Sequence, residues 1–132
     1  MDETPEIPLL TLRDTLVVAI QGELHDRAAE RLQRRILDRI AESRPRGLLI
    51  DVTGLPVVDS FLGRLLRDTA LMARMMGVPT VLVGLQPAVA VTLAELGLEL
   101  PGVHTDLDLE RGLAWLQRQG RQTPPAGRAR SR

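Results

Sequence analysis

Two apolar runs open the chain, residues 7–13 and 15–21, parted by Arg13-Asp14-Thr15, and the second carries Leu16, Val17, Val18, Ala19 and Ile20 in succession. Runs of this length and make-up read as short strands, and the polar break between them predicts a hairpin. Gly22 ends the second run. From Leu24 to Ser43 the period changes: Ala28, Leu32, Ile36 and Ile40 recur at steps of four among arginines and acids, which predicts an amphipathic helix with Asp26 as its N-cap.

Pro45 and Gly47 close that helix, and Leu48 to Val52 is an aliphatic run suited to a central strand. A turn at Gly54-Leu55-Pro56 leads to a second helix from Ser60 to Met76. Its apolar face is outlined by Leu62, Leu65, Leu66, Thr69, Ala73 and Met76, with Gly77 as the stop. A further buried strand spans residues 79–84. Pro87 then suits the first position of a third helix over Ala88 to Leu96, apolar on nearly every side and so either deeply packed or partly a contact surface. Residues 103–105 suggest a last strand. Asp106 or Asp108 caps a final helix faced by Leu109, Leu113 and Leu116.

Strands alternating with helices place the body in the α/β class, with a small mixed sheet: the first hairpin antiparallel, the later crossovers parallel. Residues 1–6 form an extension and residues 7–119 one domain. The stretch from Gly120 onward, rich in Arg and Pro, has no apolar period and is expected to be disordered. No internal repeat is evident.

Composition narrows the function. Apolar residues make up 44% of the chain, yet Phe61 and Trp115 are the only aromatic ones besides the histidines, so the core must be aliphatic. The absence of cysteine removes disulfides, thiolate catalysis and cysteine-based metal sites, and fits a reducing compartment, the cytoplasm. No apolar run approaches the roughly 20 residues of a membrane span, and Asp2-Glu3-Thr4-Pro5 is no secretory signal. Net charge is zero, but Arg121, Arg128, Arg130 and Arg132 lie beyond Gln119, leaving residues 1–119 with a formal charge of about −4. A weakly acidic body argues against nucleic-acid binding. The basic tail offers weak, salt-sensitive contacts at best.

The candidate chemistry centres on Asp59-Ser60-Phe61, at the start of the second long helix. Ser60 reads in two ways, as a plain N-cap or as a phosphate acceptor. A phosphoryl group there would meet the unpaired N–H groups and positive end of the helix, while Asp51 and Asp59 beside a charge of roughly −2 would make a repulsive surface. A partner docked on the neutral surface should then leave. His25 and Asp26 invite a Ser-His-Asp hydrolase built on Ser60, but there is no G-x-S-x-G elbow and His104 is the only other histidine. Two histidines without clustered acids make a poor metal site, and a chain without lysine has no G-x-x-x-x-G-K loop for a nucleotide. No cofactor is expected. Met72, Met75 and Met76 lie at helical spacing, as core filler or as an adaptable docking face.

Three segments taken together, Gly22-Glu23-Leu24, Leu-Leu-Ile-Asp51-Val-Thr and Val-Val-Asp59-Ser60-Phe61-Leu, resemble the STAS domain of anti-sigma-factor antagonists. Residues 75–97 look like the small single-domain, S-type antagonist of the bacterial stressosome. The resemblance covers about residues 7–119. It implies a sheet of four or five strands with about four helices packed mainly on one side, and a serine, here Ser60, phosphorylated by a serine/threonine switch kinase. Such an antagonist holds its kinase in an assembly with longer, sensor-bearing STAS paralogues and releases it on phosphorylation. Asp59, Phe61 and Arg64 would then border the docking patch, with Asp51 as electrostatic neighbour.

Relatives commonly carry an aspartate directly after Gly-Glu-Leu, where this chain has His25 and then Asp26, so the role of that acid does not transfer. About six residues precede the first strand and no threonine stands beside Ser60, which favours the S-type subunit over its longer paralogues. The expectation is a non-enzymatic cytoplasmic regulator of stress signalling that forms homo- and hetero-oligomers, with neither nucleic acid nor membrane as partner. The near-apolar third helix points the same way, to surface buried beyond one domain's core. The rival reading is an accessory STAS subunit of a membrane transporter, with Ser60 only a cap.

Overall fold

In the computed structural model, which describes residues 7–95, Gly97 and residues 103–122, a five-stranded mixed sheet has the order β1-β2-β3-β4-β5. β1 (Leu9–Leu12) and β2 (Thr15–Gln21) form the expected hairpin, with Leu12 opposite Thr15 across a two-residue loop. Arg13 and Asp14 have φ of 52° and 63°, so the loop takes the primed twist that matches right-handed strands. β3 (Gly47–Gly54), β4 (Thr80–Val83) and β5 (His104–Asp106) add in parallel.

Helices cover both faces of the sheet, which is why its central strands are continuous apolar runs. On one face Leu16, Val18, Ile20, Leu48, Ile50, Val52 and Leu82 pack beneath α1 (Asp26–Ser43), α2 (Ser60–Met75) and α3 (Pro87–Glu95). On the other, Val17, Leu49, Val81 and Val83 meet Leu113 and Leu116 of α4 (Leu109–Gln122). Each of the first three helices joins neighbouring parallel strands taken in one direction across the sheet. The right-handed crossover rule therefore puts all three on the same side. α4 follows the last strand, has no return strand to fix its side, and covers the opposite face. Gly112 lets it approach closely, since a Cβ there would lie 2.7 Å from Val83 Cγ1 and 2.9 Å from Leu49 Cδ1.

Several details depart from the sequence expectation. In α1 the buried row is Ala29, Leu32, Ile36 and Ile40, not Ala28. Strict steps of four drift about 40° each around a helix of 3.6 residues per turn, and the step of three from Ala29 to Leu32 offsets that drift. Asp26 is the first helical residue rather than the cap; His25 occupies the cap position and makes no side-chain capping bond. In α2 the buried row stops at Ala73, and Met76 is the exposed C-cap. Gly77, at φ 87°, reverses the chain so that Val78 fills the place expected of Met76, its N–H reaching Ala73 O at 2.9 Å.

Met72, Met75 and Met76 are 39%, 86% and 45% exposed, which decides their reading in favour of surface. α3 is settled in the same way. Of its apolar residues only Val89 and Leu93 are buried, and Val91 is 55% exposed. Leu96, expected as its last residue, lies outside the described residues. Asp108, not Asp106, caps α4 by accepting Arg111 N–H at 2.9 Å. α4 runs on to Gln122, past the Gln119 expected to end the domain, while residues 1–6 and 123–132 lie outside the described residues.

Candidate functional site

The parallel strands end together, so the loops that follow β2, β3 and β4 and the first turns of α1, α2 and α3 share one edge of the sheet, where open α/β folds place their sites. Hydrogen bonds lace this edge, among them Gly22 N–H to Gly54 O at 3.0 Å, Gln86 Nε2 to Thr53 O at 2.7 Å and Gly84 N–H to Asp106 O at 3.2 Å. Gly84 lies beside Thr53 at φ 81°, where only glycine fits, because a Cβ would collide with Thr53 Oγ1.

Residues 55–59 form the loop that delivers Ser60. Leu55 and Val58 are 1% and 2% exposed and act as anchors, while Val57 between them is thrust outward at 73% exposure. Asp59 follows in extended conformation, and its Oδ1 accepts Leu62 N–H at 2.8 Å. The cap of α2 is thus Asp59. Ser60 is the first helical residue, half-buried, and its hydroxyl has no hydrogen-bond partner among the described residues. That oxygen is not sealed from solvent, because no buried, unpartnered side-chain polar atom occurs among them.

The remaining expected site residues divide. Arg64, one turn along α2 from Ser60, is exposed and has no ion pair or hydrogen bond among the described residues. Phe61 is half-buried against the core, so it offers at most an edge to a partner. Asp51 is committed locally: Oδ1 accepts Thr53 N–H at 2.9 Å and Thr53 Oγ1–H at 2.6 Å, and no hydrogen bond links it to Ser60. Its influence on Ser60 is therefore that of a charge at a distance.

Beside Asp59 lies a shallow depression of about 430 Å³ lined by Glu23, Leu24, His25, Asp26, Val57, Asp59 and Leu62. His25 and Asp26 thus sit next to the α2 cap, yet neither histidine is hydrogen-bonded to Ser60. The other, His104, is 3.3 Å from Asp106 Oδ2 and stacks on Trp115 with ring centres 4.2 Å apart, at the seam of β5 and α4. Asp106 is held below the usual carboxylate range first by the Leu107 N–H at 2.9 Å, then by the hydrogen bond and charge of His104 and the charge of Arg111, against a raising effect of burial. Among the described residues no group of three or more His, Asp or Glu could hold a metal ion, and no helix is long and apolar enough to cross a membrane.

Sequence reasoning missed Val57. Its signal is weak: Pro56 and Val57 both lie between the anchors Leu55 and Val58 and both face outward, and an apolar valine there reads as core. It also missed the Gln86–Thr53 tie, which pairs a side chain with a backbone carbonyl 33 positions away and has no local signature.

Comparison with known proteins places the chain in a family. A family model described as the STAS domain matches residues 6–110. The RsbT co-antagonist protein RsbRA of Bacillus subtilis is 29% identical over 107 residues, covering 80% of this chain and 39% of that protein. The chain thus spans about two-fifths of the length of that curated relative. Among solved structures, a serine-to-glutamate variant of Moorella thermoacetica RsbS is 39% identical, with 89% of this chain and all of that chain covered and a TM-score of 0.81. A chain of the stressosome, described as a signal integration and transduction hub, is 42% identical over 87% of this chain and 100% of its own, with a TM-score of 0.78.

Proposed function

The chain belongs to the STAS domain family, and from that premise we propose that it is a non-enzymatic cytoplasmic regulator of bacterial stress signalling: a stressosome antagonist that sequesters a serine/threonine switch kinase and releases it when phosphorylated at Ser60. The observation that carries this reading is the idle hydroxyl of Ser60. Because Asp59 supplies the helix cap, Ser60 is free of that structural duty, and its modification breaks no hydrogen bond among the described residues. The kinase transfers the γ-phosphoryl group of ATP to Ser60 Oγ; the O–H bond breaks, its proton goes to solvent, and ADP leaves. The product places roughly two negative charges at the positive end of α2, where the fold tolerates them, and beside Asp59, where a docked partner does not.

The partner-binding surface on this reading joins Asp59 and Arg64 to the edge of Phe61 and to the outward Val57. Asp51 adds background charge. The exposed apolar side of α3 around Val91 supports homo-oligomers and hetero-oligomers with longer, sensor-bearing STAS paralogues, in keeping with the stressosome chain to which this one is similar.

The test is incubation with a serine/threonine switch kinase from the same organism, followed by intact-mass analysis and a kinase pull-down. One added phosphate at Ser60 is expected, with capture lost for the phosphoprotein and weakened for Ser60→Asp, and constitutive capture by Ser60→Ala. Equal kinase binding by wild type, Ser60→Asp and phosphoprotein overturns the reading. Absence of any phosphate at Ser60 favours a constitutive accessory role, as in a transporter-associated STAS subunit.

A further inference from the structure

Arg64 is the cation of α2 nearest in sequence to Ser60. Arg67, three residues on, has its Nε 3.2 Å from Asp68 Oδ1. Arg64 is exposed on α2 and has no acidic partner among the described residues. It stands four positions after Ser60, which opens the helix. Residues four apart share a helix face, and an acidic group N-terminal to a basic one at this spacing is the favourable orientation.

We propose that Arg64 is the internal reader of phosphoserine 60: its guanidinium folds back one turn to pair with the phosphoryl oxygens, so that phosphorylation withdraws the patch's uncommitted cation from the docking partner. The inference rests on Ser60 being the phosphoacceptor, and it changes how release works. Repulsion by added negative charge would act on any partner group nearby. Withdrawal of Arg64 also removes a planar, multi-donor contact, which fits two phosphoryl oxygens at once as a lysine would not.

Competing charges leave this pairing in place. Asp59 is the nearest carboxylate in sequence, but it is held by Leu62 N–H at the cap. Asp68, four positions after Arg64, would pair with it in the weaker orientation and is already shared with Arg67. Glu23, His25 and Asp26 line the depression beside Asp59, and Ser60 and Arg64 are not among its lining residues.

The test installs phosphoserine at position 60 during translation, so it needs no kinase and stands apart from the question of whether a kinase modifies Ser60. The second phosphate ionisation is followed by phosphorus NMR in wild type, Arg64→Gln and Arg64→Lys at low and high salt. Arg64 is exposed, and circular dichroism verifies that each variant is folded. The wild-type phosphate should ionise about half a pH unit lower than in Arg64→Gln, with Arg64→Lys between them and the differences narrowing as salt screens the pair. Identical titrations in wild type and Arg64→Gln at low salt overturn the pairing. A kinase that fails to modify Ser60 would instead strike at the proposed function.

Discussion

Replacing Asp59 and Ser60 one at a time by alanine separates the helix cap from the switch. Asp59→Ala deletes the acceptor that holds Leu62 N–H at 2.8 Å. Losing an N-cap costs about 1 kcal/mol, and losing a negative charge at the positive end of a helix adds about 0.3–1 kcal/mol, so a total of about 1–2 kcal/mol is expected. Ser60→Ala removes a hydroxyl with no partner among the described residues and introduces a good helix former, so its effect should stay within about 0.5 kcal/mol. Asp59→Asn keeps an acceptor and drops the charge, and should fall between the two.

Urea unfolding followed by the fluorescence of Trp115, the sole tryptophan, resolves these differences because its ring stacks on His104 and loses that contact on unfolding. With a slope of about 1.5 kcal/mol per molar urea, Asp59→Ala should shift the midpoint down by roughly 1 M, while Ser60→Ala leaves it nearly unmoved. If Ser60→Ala costs as much as Asp59→Ala, the serine is the cap. Phosphorylation would then have to disrupt the start of α2, and the reasoning for a structurally silent switch fails.

Other outcomes follow from the same geometry. Gly84→Ala forces a side chain at φ 81° into Thr53 and its bond to Asp51, and should cost about 2–3 kcal/mol in the same urea assay; a neutral effect would mean the loop relaxes freely. Val91→Asp should reduce self-association or pairing with paralogues in light scattering without lowering the thermal midpoint, and unchanged assembly would remove α3 from the contact surface. The stability from Asp106, whose pKa is lowered on folding, is present above the ordinary aspartate range and is lost as pH falls through the lowered value. Asp106→Asn should therefore differ from wild type at neutral pH and converge with it in acid, and a gap that persists in acid would assign the difference to packing.

Much of the architecture was legible because local pattern and global layering agree. The aliphatic runs at residues 15–18, 48–50 and 80–83 lie in strands buried on both faces, and the breaks at Gly22 and Gly77 fall where the chain turns, whereas Gly54, expected in a turn, is the last residue of β3. The side taken by α4 was not legible, since its periodicity shows only that it has an apolar face, and no following strand fixes its hand. The capping role at the site was ambiguous for a chemical reason. Aspartate and serine are both strong caps, and adjacent in sequence they differ only in which residue first adopts helical dihedrals. Phe61 shows a similar limit: next to Ser60 it reads as a docking residue, but half of it is taken by the core.

The strand order β1-β2-β3-β4-β5 follows the sequence without a single interruption. No strand has to be threaded between two that are already paired, and each new edge is extended by the next segment to leave the ribosome. Every pairing closes over one hairpin turn or one intervening helix, which keeps loop-closure entropy low and spares the growing chain the long wait with an unmatched edge that makes reordered sheets slow and aggregation-exposed. For a protein proposed to work in many copies side by side, that is a substantive gain: each nascent copy can complete its sheet before it meets the exposed apolar helix of another.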